Sequence, residues 1–436
     1  MQRDHPAARQ EMLAALGVDD VEALLGTIPA DVRVTRDLQV AGPLPEAELR
    51  RRLEELKSKR PRASFVGAGL YPHYIPVPVD SLAGRSEWVT SYTPYQAELA
   101  QGTLAMYYEF QSYVAMLTGQ EIANGGLYDG STALAEGVLM AMRVKPKHDP
   151  VVYVSAGVHP EYQAVLRTYM NFVGIEVAEL PLDPKTGRTV CSLDEATQRG
   201  AAAIVVQSPN FFGVVEDLAG IHPDAMTVGV CTEALSMAIL EPLPVKIAVG
   251  EFQSFGIPMQ LGGPTAGFMA TREEWVRKLP GRLVGKTIDA KGEEAYCITL
   301  ATREQFIRRE KATSNICTAS GLMCLRATIY LSLLGRKGIV DVAEKNAAVA
   351  RYFAKGLAEL GLKTRFTGPF FNEFVVDASG RPELHDRLRA ADILLGLPLG
   401  ERFPDLKDHY LVCATEVHYA SAESLLQEIK RLVQHS

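Results

Sequence analysis

The stretch Ala203-Ile204-Val205-Val206-Gln207-Ser208-Pro209-Asn210, followed by Thr227-Val228-Gly229-Val230-Cys231-Thr232-Glu233, decides the fold class. Each part is a short apolar run, rich in β-branched residues, that stops at a polar or proline-bearing turn. A run that is apolar at nearly every residue, and not at alternate ones, suits a strand covered on both faces. Upstream, Val151-Val152-Tyr153-Val154 leads into Ala156-Gly157-Val158-His159-Pro160 in the same way. Helical stretches separate these runs, so the expected architecture is α/β, a mostly parallel sheet with helices on its faces. In such sheets a ligand sits at the carboxyl ends of the strands, where the clusters at His159, Ser208 and Thr232 fall.

The flanks read differently. In the first sixty residues, Asp19-Asp20-Val21-Glu22 supplies an acid cap with Glu22 three residues on, just before Leu24 and Leu25. A second helix, Pro45 to Lys59, is dense in Glu, Arg and Lys, so residues 1–60 are expected to form a helical arm. Residues 61–325 are expected to form the large domain. A long helix from Thr318 through Leu334 is ended by Gly335 and Gly338. Residues 326–436 then read as a smaller α/β domain: helix Val340 to Leu360, strands Thr364 to Gly368 and Asn372 to Val376, helix Pro382 to Ala391, and a closing helix Ser421 to Val433.

Composition excludes several classes. A chain of 436 residues suits one large domain with a smaller companion. With 47% hydrophobic and 22% charged residues it has the balance of a soluble globular protein. A net charge of -7, with no basic cluster interleaved with aromatics, argues against nucleic acid as a partner. The six cysteines are scattered, without a Cys-x-x-Cys pair or a histidine at ligand spacing, which points to a reduced cytoplasmic setting and no metal site. Met1-Gln2-Arg3-Asp4-His5-Pro6 has no apolar core of a secretory signal. No apolar stretch approaches the ~20 residues of a membrane helix.

Three longer motifs are more specific. They are Ser91-Tyr92-Thr93-Pro94-Tyr95-Gln96 with Glu98, Gln101 and Gly102; Asn124-Gly125-Gly126-Leu127-Tyr128-Asp129-Gly130-Ser131-Thr132-Ala133; and Arg308-Arg309-Glu310-Lys311-Ala312-Thr313-Ser314-Asn315-Ile316-Cys317-Thr318. Together they resemble the glycine decarboxylase (P-protein) family, in particular the first chain of its split form, and the resemblance runs from about residue 10 to the end. It implies a pyridoxal-phosphate (PLP)-dependent transferase fold of type I, aspartate aminotransferase-like. It further implies a lysine-bearing second subunit that carries the PLP, an α2β2 assembly, and no activity for this chain alone. The assembled oxidoreductase of the glycine cleavage system would decarboxylate glycine and pass the aminomethyl group to the lipoyl arm of H-protein.

A type I site needs a Schiff-base lysine, an acid on the pyridinium nitrogen, a stacking ring and a phosphate cradle at a helix N-terminus. The run Gly250-Glu251-Phe252-Gln253-Ser254-Phe255-Gly256-Ile257-Pro258, leading into Leu261-Gly262-Gly263-Pro264, resembles the family's lysine loop. Overlaid on Phe255, Pro258 and Gly263-Pro264, it places Gln253 where the lysine-bearing half has its lysine, and Phe252 at the preceding histidine. A slip of one residue would place Phe252 or Ser254 there, and none of the three forms a Schiff base. By the same overlay Thr232 stands at the acid's position. Ser131 and Thr132 open a helix in the manner of a phosphate cup, and His159 falls at the stacking ring; both also read as ordinary helix starts. Gln253, Thr232, His159, Ser131 and Thr132 therefore form a degenerate site. Lys246 and Lys286 are the remaining lysine candidates, and neither precedes a glycine turn.

On the substrate side, Pro94 is expected to start a helix that places Glu98 and Gln101 three apart on one face with Tyr95 above them. The resemblance implies catalytic roles for Tyr95 and Glu98 and a pocket lined by Thr93, Gln96 and Gln101; a capped helix with solvent-facing polar residues is the alternative. Arg303, Arg308, Arg309 and Lys311 precede Thr313, Ser314 and Asn315, which are implied to reach the partner's PLP, unless the basic run is a solvated face. Cys317 and Cys324, seven apart, read as buried on one helical face. Two other readings of the whole chain stand: a purely structural or regulatory subunit, and a stand-alone PLP lyase or aminotransferase.

Overall fold

The computed structural model describes residues 5–434 apart from 35, 58–60, 91, 318 and 382, together with all but the side chain of Arg303. Met1–Asp4, Lys59, Ser91, Thr318 and Pro382 of the sequence reading thus lie outside the described residues. The chain forms two compact units, Met1–Arg60 and Pro61–Ser436.

In the first unit, helices span Pro6–Leu16, Val21–Leu24 and Glu46–Leu56. The acid cap is Asp20, whose carboxylate accepts from Ala23 N at 2.8 Å, and not Asp19. Leu49, Leu53 and Leu56 are exposed on the helix Glu46–Leu56.

The second unit is built on a seven-stranded sheet. Its order is Ile122–Ala123, Gly267–Thr271, Ile247–Glu251, Thr227–Cys231, Ala203–Gln207, Val151–Ser155 and Glu176–Leu180. The last five are mutually parallel, and Gly267–Thr271 and Ile122–Ala123 join antiparallel. Every residue of the strands Ala203–Gln207, Thr227–Cys231 and Ile247–Glu251 is buried, as continuous apolar runs predict.

Alternating side chains feed two cores. Val228, Val230, Ile247 and Val249 pack with Leu134 and Val138 of helix Gly130–Val144 and Leu166 of helix Pro160–Val173. Cys231, Phe268 and Ala270 pack with Phe110 of helix Gln101–Thr118 and with Phe252, Phe255 and Tyr330. The helix Gly321–Glu359 crosses residue 325 without a break and joins two cores: Leu325 and Tyr330 belong to the large one, Phe353 and Leu357 to a smaller one with Phe65, Phe374 and Ile429. Gly335 within it is non-helical (φ 61°, ψ −179°), so the break expected there is present.

The smaller sheet pairs Glu373–Asp377 with His409–Cys413 and the latter with Leu397–Pro398, all antiparallel. The expected strand Thr364 to Gly368 is only a single bridge, Thr364 to Val376. A hairpin, Leu283–Ile288 with Glu294–Thr299, has no counterpart in the sequence reading. No helix among the described residues is long and apolar enough to cross a membrane.

Candidate active site

The parallel strands deliver their terminal residues to one buried polar cluster. Gln253 follows strand Ile247–Glu251, Thr232 follows Thr227–Cys231, and Gln207 ends Ala203–Gln207. The amide of Gln253 is saturated: its Oε1 accepts from Tyr71 N at 2.8 Å, and its Nε2 donates to Tyr71 O at 3.1 Å and Ile257 O at 2.8 Å. Thr232 Oγ1 lies 3.2 Å from the Tyr71 hydroxyl and accepts from Gln207 Nε2 at 3.3 Å. The Tyr71 hydroxyl donates to Glu373 Oε2 at 2.9 Å, and Ala68 N donates to Glu373 Oε1 at 2.7 Å. Burial pushes the Glu373 carboxyl up to about 8, against the lowering effect of these two donors.

Beside this cluster stands a second one. His73 Nε2 is 3.1 Å from Glu233 Oε2 and its Nδ1 is 2.9 Å from Glu416 Oε2. Asn372 and Asn346 donate to the same two oxygens at 2.8 and 2.7 Å. Burial alone would lower the imidazole; the two carboxylates outweigh it and hold His73 at about 10.

These residues do not fit a PLP group on this chain. None of the cluster's side chains is a lysine, and the space among the candidate positions is taken by the chain itself. The segment Ala68–Tyr71 runs from His159, whose Nε2 is 3.0 Å from Ala68 O, to Gln253 and Thr232. Gly69 (φ +99°) lets it lie against the His159 ring, since a Cβ there would fall 2.8 Å from Nε2. The cup is filled as well. Gly130 N, first in its helix, donates to Glu251 Oε2 at 3.1 Å, and Thr132 N donates to Asp129 Oδ1 at 2.9 Å. Ser131 Oγ also turns to Asp129 Oδ1, at 2.5 Å. The donors a phosphate would use are thus met by internal carboxylates. Burial lifts Glu251 to about 7 although Thr265, Ala266 and Gly130 all donate to it. Lys246 stands at the opposite end of its strand, with Nζ on Asp224 O at 2.9 Å, and Lys286 pairs with Glu294 on the hairpin.

The segment around Tyr95 is open instead. The helix begins at Gln101 and not at Pro94; a 3₁₀ turn, Ala97–Leu99, precedes it, so Glu98 is not on that helix's face. Glu98, Gln96 and Tyr95 are exposed and Thr93 half-buried. The Tyr95 ring meets Phe306 edge-on at 5.7 Å and lies 5.8 Å from the Arg282 guanidinium carbon. Gln101 is committed to the fold: its amide donates to Tyr296 O at 2.8 Å and accepts from Tyr296 N at 2.9 Å, fastening the hairpin to the helix.

Ser314 Oγ donates to Glu136 Oε1 at 2.8 Å, and Thr313 lines a cleft with Gly126, Arg282 and Cys317. Asn315 is exposed. Tyr128 stitches this segment down, its hydroxyl accepting from Cys317 N at 2.9 Å and its carbonyl from Ser320 Oγ at 3.1 Å. Cys324 is buried, but Cys317 is exposed, because the helix starts only at Gly321 and the seven-residue spacing is not helical throughout. Tyr95, Thr313 and Ser314 are thus brought around Arg282, whereas Gln253 and Thr232 are gathered around Tyr71 and His159 lies at the Ala68 end of the same segment. Tyr71, Glu251, Glu373 and Arg282 were not singled out from sequence for these roles.

Residues 3–429 match the family described as "Glycine cleavage system P-protein". A "Probable glycine dehydrogenase (decarboxylating) subunit 1" from Solibacter usitatus is 45% identical over 420 residues, covering 94% of this chain and 92% of the relative. The crystal structure of a glycine decarboxylase (P-protein) of the glycine cleavage system, in inhibitor-bound form, superposes with a TM-score of 0.83 at 38% identity, over 99% of each chain. A sphingosine-1-phosphate lyase from Burkholderia pseudomallei shares the fold alone, with a TM-score of 0.64 at 15% identity over 93% of this chain and 94% of its own. The fold is the PLP-dependent type I fold that the sequence led us to expect.

Proposed function

This chain belongs to the glycine cleavage system P-protein family, and from that membership we propose that it is the cofactor-free subunit of a two-subunit glycine decarboxylase. The assembled enzyme is an oxidoreductase that removes the carboxyl carbon of glycine as CO2 and passes the aminomethyl group to the lipoyl arm of H-protein. PLP, bound to the lysine-bearing second subunit, supplies the electron sink for that chemistry. This chain supplies a pocket wall: Tyr95 and Glu98 face substrate, Thr93, Gln96 and Gln101 shape that side, and Thr313, Ser314 and Asn315 approach the partner's cofactor. Two such pairs make the α2β2 enzyme, which works in the cytoplasm.

The observation that carries this reading is the saturated amide of Gln253, fully bonded to Tyr71 and Ile257 at the strand end. A position in that state holds no nucleophile and no space. The exposed Tyr95 and Glu98 are, in contrast, free to meet another chain. The test mixes the purified chain with PLP, then with its lysine-bearing partner and lipoylated H-protein. We expect no visible absorbance to stay with the chain once free PLP is removed from the first mixture, and glycine-dependent CO2 exchange from the second. A yellow isolated chain would overturn the reading in favour of a stand-alone PLP enzyme. Unchanged turnover in the Tyr95→Phe, Glu98→Gln double variant, with assembly intact, would favour the purely structural subunit.

A further inference from the structure

Arg282 is only 7% exposed, and among the described residues its Nε–H has no hydrogen-bond partner. One terminal nitrogen donates to the Cys317 carbonyl, and the guanidinium faces the Tyr95 ring. Among the described residues no carboxylate stands within 4.0 Å of it; Glu304, which lines the same cleft, lies beyond that distance. A guanidinium cannot shed its proton, and charges removed from water are as a rule paired. The Tyr95 ring offers only part of what a carboxylate or phosphate would.

The arginine is also held in place in advance. Gly125 N donates to Arg282 O at 2.8 Å, and Asn124 Nδ2 donates to Pro280 O at 3.1 Å. Gln111 brackets Val284, accepting from its N at 2.9 Å and donating to its O at 3.0 Å. A Cβ on Gly125 would press on Arg282 O at 3.3 Å, which accounts for the small residue in the Asn124-Gly125-Gly126 motif. That motif, idle in the self-filled cluster, serves to position Arg282.

We infer that Arg282 is an oxyanion-binding residue of the composite pocket, taking a carboxylate or phosphate group that comes from outside this chain. The site is completed by Thr313, which lines the same cleft, and by the Tyr95 ring that the guanidinium faces. The planar fork of arginine suits both anions, and a lysine would offer only a point charge. The inference rests on the shared-pocket reading and names what that pocket recognises. The anion is either the carboxylate of the amino-acid substrate or the phosphate of the cofactor held by the partner.

The test uses the assembled two-subunit enzyme carrying R282Q or R282K. Assembly is checked by size-exclusion chromatography, and CO2 exchange is titrated once with glycine and once, after resolution of the cofactor, with PLP. R282Q is expected to raise one half-saturation concentration about thirtyfold, with kcat changing less and R282K recovering part of the loss. A rise in the glycine curve assigns the substrate carboxylate, and a rise in the PLP curve assigns the phosphate. An assembled R282Q enzyme that matches wild type in both curves overturns the inference. If the wild-type pair itself shows no CO2 exchange, the proposed function fails separately. In that case, or if R282Q does not assemble, thermal unfolding of the isolated chain in sodium sulfate against sodium chloride at equal ionic strength decides. A larger sulfate stabilisation of wild type than of R282Q, with R282K between them, supports the site over the general salting-out effect that all three share; equal shifts in all three overturn it.

Discussion

The strand-end cluster around Gln253 and the face around Tyr95 are both polar and lie in the same unit, yet their polar groups are used in opposite ways. In the first, Gln253, Thr232, Tyr71 and Glu373 meet one another, at 2.8 to 3.2 Å, and are buried. In the second, Tyr95 and Glu98 are exposed, aromatic and aliphatic side chains such as Tyr92, Leu99 and Phe306 stand in solvent, and the Nε–H of a buried arginine meets no acceptor among the described residues. A full set of partners marks a site that has become part of the core. A missing set marks a surface that expects a partner.

The comparison breaks most visibly at Gln253. Replacing it by lysine places an unpaired ammonium in the cluster and is expected to destabilise the chain by about 3 kcal/mol or more. Added PLP should leave no visible absorbance on the protein after desalting, because Tyr71 and Glu251 fill the space. A coloured Q253K protein with the urea midpoint of wild type would mean that the cluster is open after all. On the exposed face, E98Q in the assembled enzyme should lower kcat about a hundredfold while leaving the unfolding free energy of the isolated chain, measured in urea, within about 0.5 kcal/mol of wild type.

Titration sharpens the contrast further. Glu373 is held up from 4.5 to about 8, so folding favours its protonated form; its contribution is whole below the ordinary 4.5 and is lost progressively as pH climbs from there through about 8. His73, raised from 6.5 to about 10, contributes fully below 6.5 and loses that contribution as pH rises toward 10. Glu373 therefore makes the isolated chain less stable as pH rises toward about 8 and His73 as it rises from 6.5 toward about 10, measurable as a falling urea midpoint, and E373Q should flatten the part below about 8. A midpoint that rises with pH would contradict the buried network. The smallest effect is expected from Q101A: about 1 kcal/mol of stability, with faster amide exchange along Glu294–Thr299 and assembly retained.

The central strands were legible because burial on both faces leaves uninterrupted apolar runs, as at Ala203–Gln207. The hairpin Leu283–Ile288 with Glu294–Thr299 was not, since it is partly exposed and Gly285, Lys286 and Thr287 interrupt its apolar residues. The helix start at Gln101 was misplaced because Pro94 permits a start without requiring one, and the reciprocal amide bonds to Tyr296, 195 residues away, decide the matter. At the site, what is absent could be read locally from Gln253 and Thr232. What replaces it could not: Tyr71 reaches Gln253 across 182 residues and Glu373 across 302. Arg282 carries no local sign either, since an arginine after glycine is ordinary, and its lack of an ion partner exists only in three dimensions.

Glu251 at the first turn of helix Gly130–Val144 has a consequence for how the chain is made and kept. A protein whose core includes a bound phosphate ester gains stability by mass action and weakens when the ligand is scarce. Here an encoded carboxylate holds Gly130 N and Ala266 N at 3.1 and 2.8 Å, so the equivalent cross-link is present from the moment of folding. If the second subunit alone holds the cofactor, as proposed, the folded state of this chain is uncoupled from vitamin supply.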